Sequence, residues 1–234
     1  MKLGIIGAMD IEVAMLKERM TEKTTEQRGS MTFFLGRLEG LEVVVAQCGV
    51  GKVHAAMCAQ TMCDRYAVTH LVNTGIAGSL DPRLDIADVV ISEDAMYHDM
   101  DATHFGYPMG RVPGLSVTAF PADEGLKKLA FAASEELKPG HTRYGRVASG
   151  DLFVSEDGAK SRITQRTGAS CTEMEGAAIA QAAYCNGVPF VIIRAISDKA
   201  DHSAEMDYPS FEKLAAAHCA QVTCTLASKL AEQD

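Results

Sequence analysis

Three acidic side chains follow short apolar runs at widely separated points of this 234-residue chain: Glu12, Glu175 and Asp198. Such runs are typical of buried strands in a parallel sheet, and ligands of open α/β sheets bind just beyond the carboxyl ends of the strands. An ionised carboxylate only accepts hydrogen bonds, so it suits ligands that carry hydroxyl or N–H groups. The pattern therefore predicts a ligand site at which residues remote in sequence converge.

The most informative of these segments is 194–198, which ends the apolar run that begins at residue 188. The run is typical of a central parallel strand that is buried on both faces. A buried arginine is costly unless it is paired, so we expect a carboxylate partner for Arg194. For Asp198 itself, a structural carboxylate that caps the next turn is the alternative interpretation.

A similar arrangement recurs at Glu173 and Glu175, where a short strand ends and a helix of small residues begins. Small residues at a helix start let the backbone approach a ligand, and free N–H groups there bind oxygen atoms. If the strand continues through both glutamates, their side chains point the same way. Two such carboxylates suit the two hydroxyls of a ribose, and solvated charges at a helix start are the alternative.

The first strand and turn, residues 4–9, superficially resemble a dinucleotide fingerprint. They lack GxGxxG, and no acidic residue ends a clean second strand, so we exclude NAD binding. Asp10 and Glu12 begin the next helix, where the helix dipole favours acidic residues by about 0.3–1 kcal/mol. That effect accounts for Asp10, whereas Glu12 also fits the recurring pattern. The glycine-containing loop at 73–80 has no lysine and is not a P-loop.

Hydrophobic spacing predicts the elements that position these residues. We expect strands at 2–7, 31–38, 41–47, 70–74, 87–95, 142–149, 169–172 and 188–198. We expect helices at 11–20, 51–66, 123–137, 159–166, 176–186 and 211–230. This order predicts a single α/β domain over residues 1–234, with a mixed, largely parallel sheet between helices. The irregular segment 97–114 is long enough to indicate a functional loop.

Composition excludes several classes of protein. A formal net charge of −9 without a lysine/arginine cluster argues against a nucleic-acid surface. The opening apolar segment is too short for a signal peptide or a membrane span. Seven cysteines without a CxxC pair indicate buried thiols, and no His/Cys cluster has zinc-like spacing. We expect a soluble cytoplasmic protein with no metal, no cofactor, and no nucleic-acid or membrane partner.

Together, motifs along nearly the whole chain resemble those of the 5'-methylthioadenosine/S-adenosylhomocysteine nucleosidases, in the purine nucleoside phosphorylase superfamily. The matching segments are 4–9 with Glu12, 49–53, 73–75, 97–99, 105–107 with 113–114, 149–151 with Phe153, 173–175 and 194–198. The resemblance implies a nucleoside phosphorylase-like, three-layer α/β/α fold with a mixed central sheet. It also implies hydrolysis of an N-ribosidic bond with release of adenine. The candidate substrates are 5'-methylthioadenosine, S-adenosylhomocysteine, 5'-deoxyadenosine and aminodeoxyfutalosine.

The resemblance assigns a role to each polar site residue. Asp198, oriented by Ser197, is the acid that protonates N7 of adenine, which requires a raised pKa. Glu12 holds and deprotonates the attacking water. Glu175 accepts hydrogen bonds from the ribose hydroxyls and stabilises the cationic sugar, and Arg194 pairs with one of the carboxylates.

The same resemblance implies the binding surfaces. Phe153 stacks on the purine, the Val154 backbone reads its edge, and the Met174 N–H assists at the ribose. The slot for the 5' substituent is lined by Met9, Val50, Tyr208 and Phe211. Further substrate contacts are expected at Ile76, Gly78 and Glu173. Ala102, Phe105 and Pro113 reach the slot from a second subunit, which implies a homodimer whose loop 97–114 completes the neighbouring pocket.

Three positions depart from the family pattern. Ile76 stands where many relatives have a serine, which removes one hydroxyl near the attacking water. Tyr208 replaces a common phenylalanine, and Ala102 replaces a larger aliphatic residue. The last two changes make the 5' pocket more polar or roomier, so we expect a shifted substrate preference.

Two other functions are alternatives to hydrolysis. A nucleoside phosphorylase needs a cationic phosphate pocket near the N-terminal turn, where Asp10 and Glu12 would repel phosphate. A non-catalytic nucleoside-binding relative should lose the carboxylates, yet Glu12, Glu175 and Asp198 are all present. Hydrolysis is therefore the favoured prediction.

Overall fold

The computed structural model describes residues 1–201 and 203–233, without the side chains of residues 205 and 206. Its strands are β1 (Lys2–Gly7), β2 (Thr21–Arg28), β3 (Met31–Leu38), β4 (Leu41–Gln47), β5 (His70–Ser79), β6 (Val89–Tyr97), β7 (Phe120–Pro121), β8 (Thr142–Ser149), β9 (Cys171–Glu173) and β10 (Phe190–Asp198). Its α-helices are α1 (Asp10–Arg19), α2 (Lys52–Tyr66), α3 (Glu124–Leu137), α4 (Asp157–Thr167), α5 (Gly176–Asn186) and α6 (Ala204–Ala231).

The strands form one mixed sheet in the order β10-β6-β8-β9-β5-β1-β4-β3-β2, with β7 on β6. Because β10 also pairs with β5, five strands (β5, β10, β6, β8 and β9) close into a ring. Strand β5 is parallel to β1 and β10, and antiparallel to β9. The ring brings the carboxyl ends of β5 and β10 beside the short strand β9, where the predicted site residues lie.

Helices cover both faces of the sheet, so the predicted three-layer arrangement with a mixed sheet is confirmed. Helices α1, α3 and α6 pack together on one face, and α2 and α5 pack together on the other. Strand β10 is buried along its whole length. Its Val191, Ile193 and Ala195 belong to the core cluster that includes the small residues of α6, and Ile192 and Ile196 belong to the cluster of α5. Strand β10 is parallel to β5 but antiparallel to β6, so the expectation of a parallel strand holds on one side only.

The sequence analysis did not predict strands β2 and β7, and it ended β5 too early. Thr21–Arg28 forms the edge strand β2, which the sequence did not predict because its residues are polar, largely exposed and without alternation. Strand β5 continues to Ser79 instead of ending at residue 74, so the glycine-containing loop is a strand. The reason lies at Gly75, where a Cβ atom would overlap Arg194 and Glu12. Gly75 does not form a turn. Its missing side chain leaves room for Arg194 and Glu12 to pack against the strand.

The hairpin between β3 and β4 is confirmed. Glu39 and Gly40 connect the strands with φ of 50° and 85°, the left-handed conformations that a tight hairpin turn requires. All seven cysteines are free thiols. Among the described residues, no helix combines the length and apolarity needed to cross a bilayer.

Candidate active site

A cleft with about 510 Å³ of free space lies at the carboxyl ends of β5, β9 and β10. Most of the predicted site residues line it: Met9, Glu12, Val50, Ile76, Gly78, Phe153, Glu173, Met174, Glu175, Ser197, Asp198 and Tyr208. Three lining residues were missed by sequence analysis: Ala8, Ala77 and Thr172. The three carboxylates predicted to converge therefore share one cavity.

Glu12 lies on the first turn of α1 and is 2% exposed. Its Oε2 accepts hydrogen bonds from the backbone N–H of Ala8 at 2.7 Å and of Met9 at 2.9 Å. Its Oε1 accepts from the N–H of Ile76 at 3.0 Å. Burial raises the pKa of Glu12, an effect that the Arg194 charge and the three N–H donors partly offset. The carboxylate is thus held in one orientation, with a pKa above the ordinary value of a glutamate.

Arg194 lies at the centre of the carboxylates and is 1% exposed. Its Nη2 donates a very short hydrogen bond to Glu173 and another, of 2.5 Å, to Asn73 Oδ1. Its Nη1 lies 3.9 Å from Glu12 Oε1, and its Nη2 lies 3.8 Å from Glu175 Oε2. Burial alone would lower the pKa of Arg194, but the three carboxylates together raise it. The guanidinium is therefore a permanent charge that all three share.

Glu173 is the carboxylate that pairs with Arg194. Its Oε2 also accepts from the N–H of Glu175 at 3.0 Å and of Gly176 at 2.7 Å, and its Oε1 accepts from the Ser149 hydroxyl. The strand does not continue through both glutamates, as the prediction required, because β9 ends at Glu173 and the next helix begins directly after Glu175. Both carboxylates nevertheless approach Arg194 Nη2 and line the same cleft. Glu173 thus caps α5 and anchors the arginine, which leaves Glu175 to face a ligand.

Glu175 is 4% exposed, and its Oε1 accepts from the N–H of Gly51 at 2.8 Å. Gly51 has a φ of 98°, which a side chain would strain, so the glycine allows this donor to reach the site. Burial, with the adjacent charge of Glu173, raises the pKa of Glu175 to about 7, against the opposing effect of Arg194. Glu175 therefore combines a fixed position with a pKa close to neutral pH.

Asp198 ends β10 and is 2% exposed. Its Oδ1 accepts from the N–H of Ala200 at 2.8 Å, and its Oδ2 accepts from the Ser197 hydroxyl at 2.8 Å. Burial raises the pKa of Asp198 despite these donors, and the negative charges of Asp207 and Asp201 raise it further. This environment favours a neutral carboxylic acid, which can donate a proton.

Aromatic and apolar side chains form the outer wall of the cleft. The Phe153 ring is 47% exposed and meets the Tyr208 ring edge-on, with centroids 5.5 Å apart. The Tyr208 hydroxyl donates to Met9 Sδ at 3.3 Å. Val154 is buried, Phe211 is half-buried, and neither is among the lining residues. Phe153 is therefore available to a ligand, whereas Phe211 does not line the described cleft.

The loop 97–114 does not reach the cleft of its own chain. Phe105 is 77% exposed and Pro113 is exposed, whereas Ala102 is buried within this chain. None of the three lines the described cavity. Within residues 1–201 and 203–233, no group of three histidine, cysteine, aspartate or glutamate side chains could hold a metal ion.

Thr172 escaped notice although it belongs to a segment that the sequence analysis singled out. In that segment, the charges of Glu173 and Glu175 indicated a ligand site, whereas a threonine has no comparable signal. Strand alternation does not find it, because alternation would place Thr172 and Glu173 on opposite faces of β9, whereas both line the cleft. Ala8 and Ala77 carry no chemical signal of their own, and only the fold places them at the cleft.

Comparisons with known proteins agree with this geometry. The family model described as the phosphorylase superfamily matches residues 2–228. A 5'-methylthioadenosine/S-adenosylhomocysteine nucleosidase of Colwellia psychrerythraea is 39% identical over 239 residues, which cover 98% of this chain and 97% of the relative.

Solved structures extend the similarity to three dimensions. The 5'-methylthioadenosine/S-adenosylhomocysteine nucleosidase of Neisseria meningitidis, in complex with methylthio-immucillin-A, superposes with a TM-score of 0.95 at 35% identity, covering 97% of this chain and 99% of that one. The futalosine hydrolase of Helicobacter pylori superposes with a TM-score of 0.92 at 31% identity, covering 97% of each chain. The chain is therefore an enzyme, an N-glycosyl hydrolase that belongs to the family of 5'-methylthioadenosine/S-adenosylhomocysteine nucleosidases.

Proposed function

We propose that this enzyme hydrolyses the N-ribosidic bond of 5'-methylthioadenosine and S-adenosylhomocysteine and releases adenine. The observation that carries the proposal is the pair of environments within one cleft. Asp198 is buried with raised pKa and no basic partner among the described residues, whereas Glu12 and Glu175 lie within 4 Å of the Arg194 guanidinium. A neutral acid and ionisable carboxylates at opposite ends suit cleavage between a base and a sugar.

The proposed reaction follows from these positions. The C1'–N9 bond breaks and its electron pair moves into the base, while Asp198 donates a proton to N7. The sugar develops positive charge at C1', which the carboxylate of Glu175 stabilises while it accepts hydrogen bonds from the ribose hydroxyls. Glu12 removes a proton from the attacking water, whose oxygen bonds to C1'. The products are adenine and the free 5'-substituted ribose.

The wall residues supply binding rather than chemistry in this proposal. The exposed face of Phe153 stacks on the purine, the Val154 backbone contacts its edge, and the Met174 N–H assists at the ribose. Met9, Val50 and Tyr208 enclose the 5' substituent. Because Ile76 has no hydroxyl, its contribution is the backbone N–H that orients Glu12. The attacking water then depends on Glu12 without help from a side chain at position 76.

Phosphorolysis is the competing reaction. The residues that line the described cleft include no lysine or arginine, and the N-terminal turn presents Glu12 to it. A phosphate ion would therefore enter without a cationic partner and against a nearby carboxylate. The futalosine hydrolase similarity adds aminodeoxyfutalosine to the substrates to be tested, with 5'-deoxyadenosine as the smallest candidate.

We infer that the enzyme acts as a homodimer whose loop 97–114 completes the neighbouring 5' slot with Ala102, Phe105 and Pro113. Large apolar side chains exposed on the loop and on α2 support this inference: Phe105 is 77% exposed, Val53 70% and Met57 55%. Exposed apolar residues of this size are typical of protein interfaces. Sedimentation of the wild type and of Phe105→Asp tests it, and a monomeric wild type would contradict it.

We also infer that one nucleosidase domain spans the chain and works in a reducing compartment, the cytoplasm. All seven cysteines are free, and five of them are buried. Buried free thiols are typical of proteins that never meet an oxidising environment. Titration of the thiols in the native and denatured enzyme tests this point, and disulfides in protein isolated from its own cells would contradict it.

The deciding experiment is adenine release from a panel of four nucleosides, with and without phosphate. The panel contains 5'-methylthioadenosine, S-adenosylhomocysteine, 5'-deoxyadenosine and aminodeoxyfutalosine. We expect phosphate-independent release of adenine and of a sugar without phosphate. Glu12→Gln should lose activity, whereas Asp10→Asn, two residues away on the exposed side of α1, should keep it. Release that requires phosphate, or that survives Glu12→Gln, would contradict the proposal.

A further inference from the structure

The hydroxyl of Thr172 is buried without a hydrogen-bond partner. Among the described residues, five buried side-chain polar atoms have no partner, and Thr172 Oγ1 is the one that belongs to a residue lining the cleft. Thr172 is 5% exposed and is the middle residue of β9. Because buried polar groups in proteins are nearly always hydrogen-bonded, an orphan hydroxyl beside a binding cavity indicates a partner that arrives with the ligand.

The sheet register places Thr172 opposite the proposed acid. Thr172 pairs with Gly78 between β9 and β5, and Gly78 pairs with Asp198 between β5 and β10. The register of β10 shifts by one residue just before Asp198, so the pairing alone does not fix the face of that side chain. Thr172 and Asp198 both line the cleft, on the two strands that flank Gly78 of β5. A Cβ atom at Gly78 would lie 2.7 Å from Asp198 Oδ1, so the glycine keeps the floor between them open.

The spacing of this row suits a flat bicyclic base. Neighbouring strands lie about 4.8 Å apart, so the two flanking strands are roughly 10 Å apart across β5. A purine placed over Gly78 fits between the two side chains. N7 and N3 of a purine lie on opposite sides of the glycosidic bond. A base that presents N7 to Asp198 therefore presents N3 toward Thr172.

We propose that Thr172 is a further substrate-contacting residue, whose hydroxyl donates a hydrogen bond to N3 of the leaving adenine. The inference rests on the proposed function, and it deepens that function by identifying how the far edge of the base is recognised. As the C1'–N9 bond breaks, its electron pair enters the ring system and N3 becomes a stronger acceptor. A donor fixed at that point stabilises the developing charge, as preorganised donors do in other enzymes.

The residue type supports a role beyond packing. Threonine and valine have nearly the same shape, and valine places no polar atom in a buried position. At a position that served only the core, the hydroxyl of Thr172 would carry an unmet desolvation penalty. Its neighbour across β8 is Ala148, which belongs to a cluster of apolar residues with Val154 and Ala200. These side chains offer the hydroxyl no acceptor, and a base bound in the cleft supplies one.

Product binding tests the proposal independently of turnover. The affinities of adenine and 3-deazaadenine, which has a carbon in place of N3, are measured by calorimetry for the wild type, Thr172→Val and Thr172→Ser. We expect Thr172→Val to weaken adenine binding about tenfold and to leave 3-deazaadenine binding unchanged. Thr172→Ser, which keeps the hydroxyl, should stay within about twofold of the wild type for adenine.

The same variants distinguish the outcomes. An equal loss of affinity for adenine and 3-deazaadenine in Thr172→Val, or no loss for either, would overturn the role of the hydroxyl while leaving the nucleosidase function standing. A wild type that does not bind adenine would instead contradict the proposed function, and the role of Thr172 with it. Melting of the ligand-free Thr172→Val should match or exceed that of the wild type, because the variant loses an unsatisfied buried hydroxyl.

Discussion

At one end of the cleft, the carboxylates of Glu12, Glu173 and Glu175 surround the buried guanidinium of Arg194. At the other end, Asp198 has no basic partner among the described residues. The nearby negative charges of Asp201 and Asp207 act on it instead. The carboxylates at both ends are buried, and burial raises the pKa of Glu12, Glu175 and Asp198 alike. The two ends differ in counter-charge. The positive charge of Arg194 opposes the rise in pKa at Glu12 and Glu175, and no basic group of the described chain opposes it at Asp198.

The comparison shows how one residue type can serve opposite purposes a short distance apart. Beside Arg194 the ionised form of a carboxylate is supported, as a base and a cation stabiliser require. Around Asp198 two hydrogen-bond donors orient the group, while the neighbouring acids favour the neutral form. If this difference is the basis of catalysis, each end should respond differently to the same kind of substitution.

The largest expected effect is at the acid end. Asp198→Asn keeps the size of the side chain but removes the proton donor, so turnover should fall by about 10³-fold, within the range for general acids. Binding of adenine should change by only a few-fold. Steady-state kinetics and calorimetry on the same preparation check both expectations, and unchanged turnover would remove Asp198 from the acid role.

At the arginine end the largest expected effect is on stability. Arg194→Met leaves Glu173 buried without its cation, so the free energy of unfolding in urea should fall by about 3–5 kcal/mol. The matched control is Lys229→Met, which breaks the exposed pair between Lys229 and Glu136, whose atoms are 2.6 Å apart. An exposed pair contributes at most about 1 kcal/mol. Equal losses for the two variants would show that Arg194 does not organise this end.

Glu175 should make the stability of the enzyme depend on pH. Its pKa in the folded protein is about 7, above the ordinary 4.5, so between these values the folded state binds more protons than the unfolded state. The contribution of Glu175 to stability is therefore complete below about pH 4.5 and falls as the pH rises to about 7.

Glu175→Gln removes this titration. Relative to the wild type, the variant should gain stability over that pH range, by on the order of 3 kcal/mol. Urea unfolding of both proteins at several pH values measures the difference. A difference that is constant with pH would show that the folded protein does not perturb the pKa of Glu175.

The smallest expected effect is at the outer wall, where the Tyr208 hydroxyl lies 3.3 Å from the weak thioether acceptor of Met9 and also interacts with Glu212. Tyr208→Phe should change the melting temperature little. It should raise the ratio of kcat/KM for 5'-methylthioadenosine over S-adenosylhomocysteine by about threefold, because a polar 5' tail loses a hydrogen-bonding group. An unchanged ratio would show that the hydroxyl does not face the 5' substituent.

Much of the fold was predictable because its elements are long and strongly patterned. Strands β1, β3, β4 and β8 and helix α5 lie where the sequence predicted them, to the residue. Strand β2 was not predictable, since an exposed edge strand needs no apolar alternation and is held by pairing with β3. The glycines that extend β5 were misread because sequence alone does not distinguish a flexible turn from a close approach of side chains.

Most residues of the site were predictable from the sequence, whereas the contacts between them were less so. Glu12, Glu175 and Asp198 were recognised because charges after apolar runs are conspicuous and match a family pattern. Which carboxylate pairs with Arg194 was not predictable, because Glu173 and Glu175 both approach its Nη2 and differ only in their distances from it. Thr172 was not predicted, because its hydroxyl is notable only for being buried without a hydrogen-bond partner, which the sequence does not show.

By itself the sequence determined which side chains are available and that the strands preceding them are buried, since both follow from residue type and short-range spacing. Tertiary structure alone decided which charges meet. The closure of β10 onto β5 places Asp198 beside Gly78 and Arg194 beside Gly75, contacts between residues more than one hundred positions apart. Electrostatic and hydrogen-bonding energies depend on such distances, and no local pattern encodes them.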